Sequence, residues 1–158
     1  MNHLEENEKK DFMKTQFLFD QHLNGPFRDV QLRQLAGKLI AGIQPAAVRQ
    51  NSFIINEISP AIMVTTDENL LASVINNLLA VIVSRNKNSC IRITAKPFRN
   101  VVLLHIKDQN RSVKETTIND FDELQPLAAM VGGCITICNQ SDRATTLAMS
   151  IADLAAVA

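Results

Sequence analysis

The sequence predicts a single mixed α/β domain, and three observations predict it. The chain has 158 residues, about one domain's length, which lets it bury roughly two thirds of its unfolded surface in one core without staples. Segments with apolar residues every three to four positions alternate with segments in which every second residue is apolar, the periods of amphipathic helices and half-buried strands. Turn and cap signals such as Asn24-Gly25-Pro26, Ser59-Pro60 and Gly132-Gly133 separate these segments.

The first 24 residues are charged and then loosely amphipathic through Phe12, Met13, Phe17, Leu18, Phe19 and Leu23, so a helix is expected after a frayed tip. From Val30, the positions Leu32, Leu35, Leu39 and Ile43 step by three and four, and Pro45 is expected to close or kink that helix. Phe53 to Ile58 is apolar and β-branched, which predicts a strand stopped by Ser59-Pro60. Asp67 precedes Leu70, Leu71, Val74, Leu78 and Ile82, and its carboxylate suits the free amide hydrogens of that helix's first turn.

Two alternating strands follow. Ile91, Ile93 and Ala95 share one face against Arg92, Thr94 and Lys96, and Val102, Leu104, Ile106 and Asp108 share a face in the partner strand across a turn at Pro97 to Asn100. Asp120 and Glu123 are spaced as a capping box for a helix that runs through Pro126 to Val131 and ends at Gly132-Gly133. Cys134 to Cys138 and Thr146 to Ile151 complete the strands, separated by the polar turn Asn139 to Arg143. The expected organisation is thus a helical segment over 1–25, a domain over 26–153 and a small-residue tail over 154–158.

Composition excludes several function classes. Lys plus Arg equals Asp plus Glu at 16 each, so no net field draws the chain to nucleic acid or anionic lipid. Aromatics are 4% with no Trp or Tyr, which leaves little for stacking single-stranded bases. Apolar runs fall short of the roughly 20 residues of a membrane span, and the acidic start lacks the pattern of a secretory signal, so a cytoplasmic location is expected. Cys90, Cys134 and Cys138 are an odd set within strand-like runs, consistent with reduced thiols, and no acidic or His cluster beside them suggests a metal site.

The segments Asp67 to Ile82, Ile91 to Asp108 and Leu124 to Ile151 together resemble the ATP-binding domain of bacterial sensor histidine kinases, whose ATPase-like fold is shared with gyrase, Hsp90 and MutL. The resemblance runs from about Phe27 to Ile151. It implies a two-layer α+β sandwich, a mixed sheet covered on one face by about three helices. Gly132-Gly133-Cys134-Ile135 is similar to the family's Gly-Gly-x-Ile strand start, and Ala144-Thr145-Thr146-Leu147 to its closing strand.

The same resemblance locates what is missing. The family's asparagine box usually reads Asn-Leu-x-x-Asn-Ala, and here it reads Asn77-Leu78-Leu79-Ala80-Val81-Ile82. The second Asn would reach magnesium and phosphates with its side-chain oxygen, whereas Val81 has no lone pair to offer. Asn77 matches the first Asn, although an Asn near a helix surface is more often a solvated or capping residue. The family's Asp-x-Gly-x-Gly, whose Asp accepts from the adenine amino group, reads Asp108-Gln109-Asn110-Arg111-Ser112. Asp108 therefore has two readings, a vestigial adenine contact or a turn residue, and both glycines that permit backbone approach are gone. Eleven residues without a glycine separate Asp108 from Asp120, where the family carries a mobile lid and a second glycine box. Neither His3 nor His22 has the context of a phosphoacceptor, and His105 lies on the strand face opposite Asp108.

The expectation is a degenerate, pseudokinase-like domain with no catalytic residue, no metal and no cofactor, acting by contact with a signalling protein such as a response regulator or kinase. Residues 12–23 are a candidate pairing helix, possible as a homodimer contact, and the sheet face with Val101, Leu103 and His105 is a second surface. The alternative is a divergent ATP-binding domain that rebuilds an ATP and magnesium site from Asn77, Asp108 and Lys87 or Arg111.

Overall fold

A computed structural model describes residues 27–109, 118–141 and 144–157. The expected helix over 1–25, and the glycine-free connection with Asn110 and Arg111, lie outside the described residues. The chain opens with β1 (Phe27–Gln31), α1 (Leu32–Arg49), β2 (Phe53–Asn56), β3 (Met63–Asp67) and α2 (Glu68–Arg85). It continues with β4 (Cys90–Phe98), β5 (Val101–Asp108), a 3-10 run over Ile118–Leu124, α3 (Gln125–Met130), β6 (Ile135–Ser141), β7 (Ala144–Ala152) and a 3-10 turn over Leu154–Val157.

Five strands form one mixed sheet in the order β2-β4-β5-β7-β6, with β2 parallel to β4 and the other neighbours antiparallel. The inward residues follow the period of two. Ile91 and Ile93 of β4, Val102, Leu104 and Ile106 of β5, and Leu147, Met149 and Ile151 of β7 are all buried. The helices supply Leu35, Ala36 and Ile40 from α1, Leu71, Ile75, Leu78 and Ile82 from α2, and Ala128 from α3 to the same cluster. Each fully buried side chain of this kind contributes roughly 1.5–3 kcal/mol by leaving water. Among the described residues no helix covers the other sheet face, and the architecture is the expected α+β two-layer sandwich.

α2 forms as the sequence predicts. Asp67 Oδ1 accepts the Leu70 N–H at 3.1 Å, and the helix buries eight apolar side chains from Leu70 to Val83. The β4–β5 hairpin is tighter than expected. Pro97 pairs with Val102 within the ladder, and only Arg99, at φ 57°, and Asn100 make the turn. β2 stops opposite Ile93, so no strand on the outer side of β4 requires an N–H from Pro97.

Other elements depart from the sequence reading for identifiable reasons. α1 does not close at Pro45 but runs through it to Arg49, because exposed Pro45 sacrifices one helical hydrogen bond while Ala47 beyond it is fully buried. β2 ends at Asn56 because the Asn56 side-chain oxygen accepts the Ile58 N–H at 3.2 Å, turning the chain before Ser59. The expected helix from Asp120 begins as the 3-10 run, and the α-helix starts only at Gln125, with Pro126 in its first turn. The tail folds as the 3-10 turn after Asp153, whose carboxylate accepts the N–H groups of Thr65 at 3.1 Å and Ala155 at 3.2 Å.

The antiparallel pair β1–β3, which the sequence reading did not find, places Phe27 opposite Asp67 and Val30 opposite Val64. Each strand is five residues long and buries one valine, Val30 and Val64, too few turns of the alternation to stand out.

Both edges of the main sheet are capped by glutamine side chains. On β2, the Gln44 amide donates to the Ile54 carbonyl and accepts the Ile54 N–H, both at 3.2 Å. On β6, Gln125 does the same at Ile135, at 2.8 Å and 3.0 Å. Each amide imitates one residue of a further strand, occupying the groups a foreign strand would seek.

Candidate functional site

The two residues singled out by the sequence sit on different elements. Asn77 is exposed on α2, and its side-chain amide donates to the Ser73 carbonyl at 2.8 Å, a bond within its own helix. Val81, one turn further, is half-buried and packs against the core cluster. A valine so placed contributes apolar contact and presents no acceptor for a cation.

Asp108 ends β5 on the inward face and is 5% exposed. Its Oδ1 accepts the Ser89 hydroxyl. Ser89 belongs to a buried polar cluster just past the end of α2. The Ser89 N–H donates to Ser52 Oγ at 3.1 Å, and Ser52 Oγ reaches the Gln50 carbonyl at 3.4 Å. The Asn86 amide, also buried, donates to the Ile82 carbonyl at 2.6 Å and so closes the last turn of α2. The loop between α1 and β2 and the loop between α2 and β4 are joined here, again by Asn51 to Asn88 at 2.7 Å. Asp108 thus accepts from a neighbouring loop inside the protein, at the place where the resemblance puts adenine.

The other side of α2 is occupied by the 3-10 run. Asp120 meets Arg85 at 3.2 Å, and Phe121 next to it is fully buried. Asp120, expected in a capping box, places a carboxylate oxygen beside Arg85 at the end of α2. The ion pair is half exposed on the arginine side and worth at most about 1 kcal/mol, so buried Phe121 is the stronger fastening. Lys87 is exposed in the loop after α2.

The open sheet face carries Val101, Leu103 and His105, all half-buried, beside Thr94 and Lys96. At its β2 edge Phe53 is 57% and Ile55 39% exposed, next to Arg92, which pairs with Glu57. Cys90 and Cys134 are free thiols. Among the described residues no three His, Cys, Asp or Glu side chains gather as a metal site, and no helix is long and apolar enough to cross a membrane.

Sequence reasoning did not find Ser52, Asn86 and Ser89. Small polar residues in loops carry no periodic signal, and their burial arises only when two loops distant in sequence meet.

No family model matches the sequence, and no curated protein matches it. Solved structures do. The histidine kinase AdeS of Acinetobacter baumannii superposes with a TM-score of 0.74 at 13% identity, covering 91% of this chain and 76% of that one. The catalytic domain of the histidine kinase ThkA gives 0.65 at 15% identity, with 81% of this chain and 96% of that domain covered. ThkA in complex with the response regulator protein TrrA gives 0.63 at 16% identity, covering 93% of this chain and 48% of that one. The chain has the ATPase-like fold of histidine kinase catalytic domains.

Proposed function

We propose that this chain is a degenerate histidine kinase ATPase-like domain that serves as a non-catalytic signalling or protein-interaction module in a two-component-type pathway of the bacterial cytoplasm. One observation carries the reading: Asp108, the residue that would accept from adenine, is buried and accepts from Ser89. Val81 adds to it by turning the position of the family's second Asn into core packing. Three phosphates require many donors, and the connection after β5 has no glycine to free its amides for them.

A contact role needs a surface. Gln44 and Gln125 already occupy the backbone groups of Ile54 and Ile135 at the sheet edges, and the open face, with exposed Phe53 and Ile55, and residues 1–25 are the surfaces we assign to a partner. The ThkA complex with TrrA supports a response regulator as the class of partner, and a kinase or a second copy of this chain are the others.

The test is titration of the full chain with a non-hydrolysable ATP analogue and magnesium, followed by calorimetry. No heat of binding at millimolar analogue is expected. Micromolar binding would establish the other reading, a divergent ATP-binding domain using Asn77 and Asp108.

A further inference from the structure

A second buried carboxylate lies at the opposite end of α2. Asp67 is 5% exposed, and while its Oδ1 accepts the Leu70 N–H at 3.1 Å, its Oδ2 is buried with no hydrogen-bond partner. Asp67 also lines a recess of about 210 Å³ between the β1–β3 pair, the end of α3 and the final 3-10 turn. The walls are otherwise largely apolar, with Phe27, Ala129, Met130, Ala152 and Leu154 prominent, and among the described residues no Lys, Arg or His lines it.

Two facts fix the charge this recess prefers. Asp67 places a carboxylate in an otherwise apolar hollow at the start of a helix, where the backbone dipoles favour negative charge. The neighbouring acid, Asp153, already accepts two N–H groups and adds no donor for Asp67. An ionised oxygen buried without a donor is costly, and a ligand that supplies one recovers that cost. A charged donor does so best, because bonds between ionised partners are roughly twice as strong as neutral ones.

We propose that the recess binds a small organic cation, an ammonium or guanidinium group on a short apolar stem, with the charge on Asp67 and the stem against Met130 and Leu154. The volume suits a compact guest, since at ~30 Å³ per liquid water it holds roughly seven waters and is smaller than a drug-sized site. Reaching Oδ2 requires a small displacement at the rim, where Phe27 is 59% exposed. The site is distinct from the Asp108 region, because the 18 residues of α2 separate the two by about 27 Å.

The full chain is titrated by amide NMR with butylammonium and butylguanidinium, with 1-butanol as the neutral control. The amides of Thr66, Asp67, Val131 and Gly132 are expected to shift with both cations at millimolar concentration. Asp67→Asn, which retains a capping oxygen, should weaken cation binding about tenfold. Ala129→Phe, a change at an exposed rim position, should abolish it without touching the carboxylate. A peptide with one Lys or Arg binding more tightly than the free cations would assign the ligand to a partner's side chain, and the reverse order to a free amine. The proposal fails if neither cation shifts these amides, if butanol shifts them equally, or if both variants bind like the parent. The nucleotide titration does not decide it, since that reports on the other end of α2.

Discussion

Asp67 and Asp108 are the same side chain at the same burial, each 5% exposed, yet the fold treats them differently. Asp108 ends a strand facing a loop that carries Ser89, and the hydroxyl of that loop reaches its carboxylate. Asp67 begins a helix, where the backbone of the first turn supplies the Leu70 N–H to one oxygen and an apolar recess lies beside it. Equal burial thus comes with different surroundings. What differs is the origin of the donor: a loop distant in sequence reaches Asp108, whereas the first turn of its own helix serves Asp67.

That contrast can be broken experimentally. The largest effect is expected from Asp108→Ala, which removes a buried hydrogen-bonded carboxylate and leaves the Ser89 hydroxyl and a void behind. A loss of about 3 kcal/mol in urea unfolding would agree, and a loss below about 1 kcal/mol would show that Asp108 is not an internal fastening. Ser89→Ala keeps the carboxylate but removes this donor, so a smaller loss of about 1–3 kcal/mol is expected. Were Ser89→Ala neutral, the Ser89 hydroxyl would not be what fastens the Asp108 carboxylate, and the non-catalytic reading would lose its main support.

Asp67 should respond more weakly. Replacement by Ala removes a cap worth about 1 kcal/mol but also removes the unpartnered oxygen, so a net loss under about 1 kcal/mol in thermal unfolding is expected. A loss as large as that of Asp108→Ala would mean that the second oxygen of Asp67 also has a partner within the protein.

Much of this fold was legible in the sequence. The cap and apolar period of α2, the alternation of β4 and β5, and the Gly132-Gly133 stop are local signals, set within a few residues of one another. Gly133 shows how firmly such a signal binds, since a Cβ there would lie 1.6 Å from the Ser150 carbonyl oxygen. β1 and β3 were not legible, because strands with one buried valine each take their identity from pairing with one another across more than thirty residues of chain. The site was half legible: Val81 and the absent glycines could be read directly, whereas Ser89 and Ser52 could not, since nothing near them in sequence marks them as buried.

The sequence alone determined which side chains face inward and which ligating groups the chain lacks, because periodicity and residue chemistry are properties of each segment taken by itself. Only the tertiary structure decided where the remaining carboxylates found donors. A hydrogen bond acts within about 3 Å, and which loop comes that close to Asp108 depends on how the helices and sheet pack together.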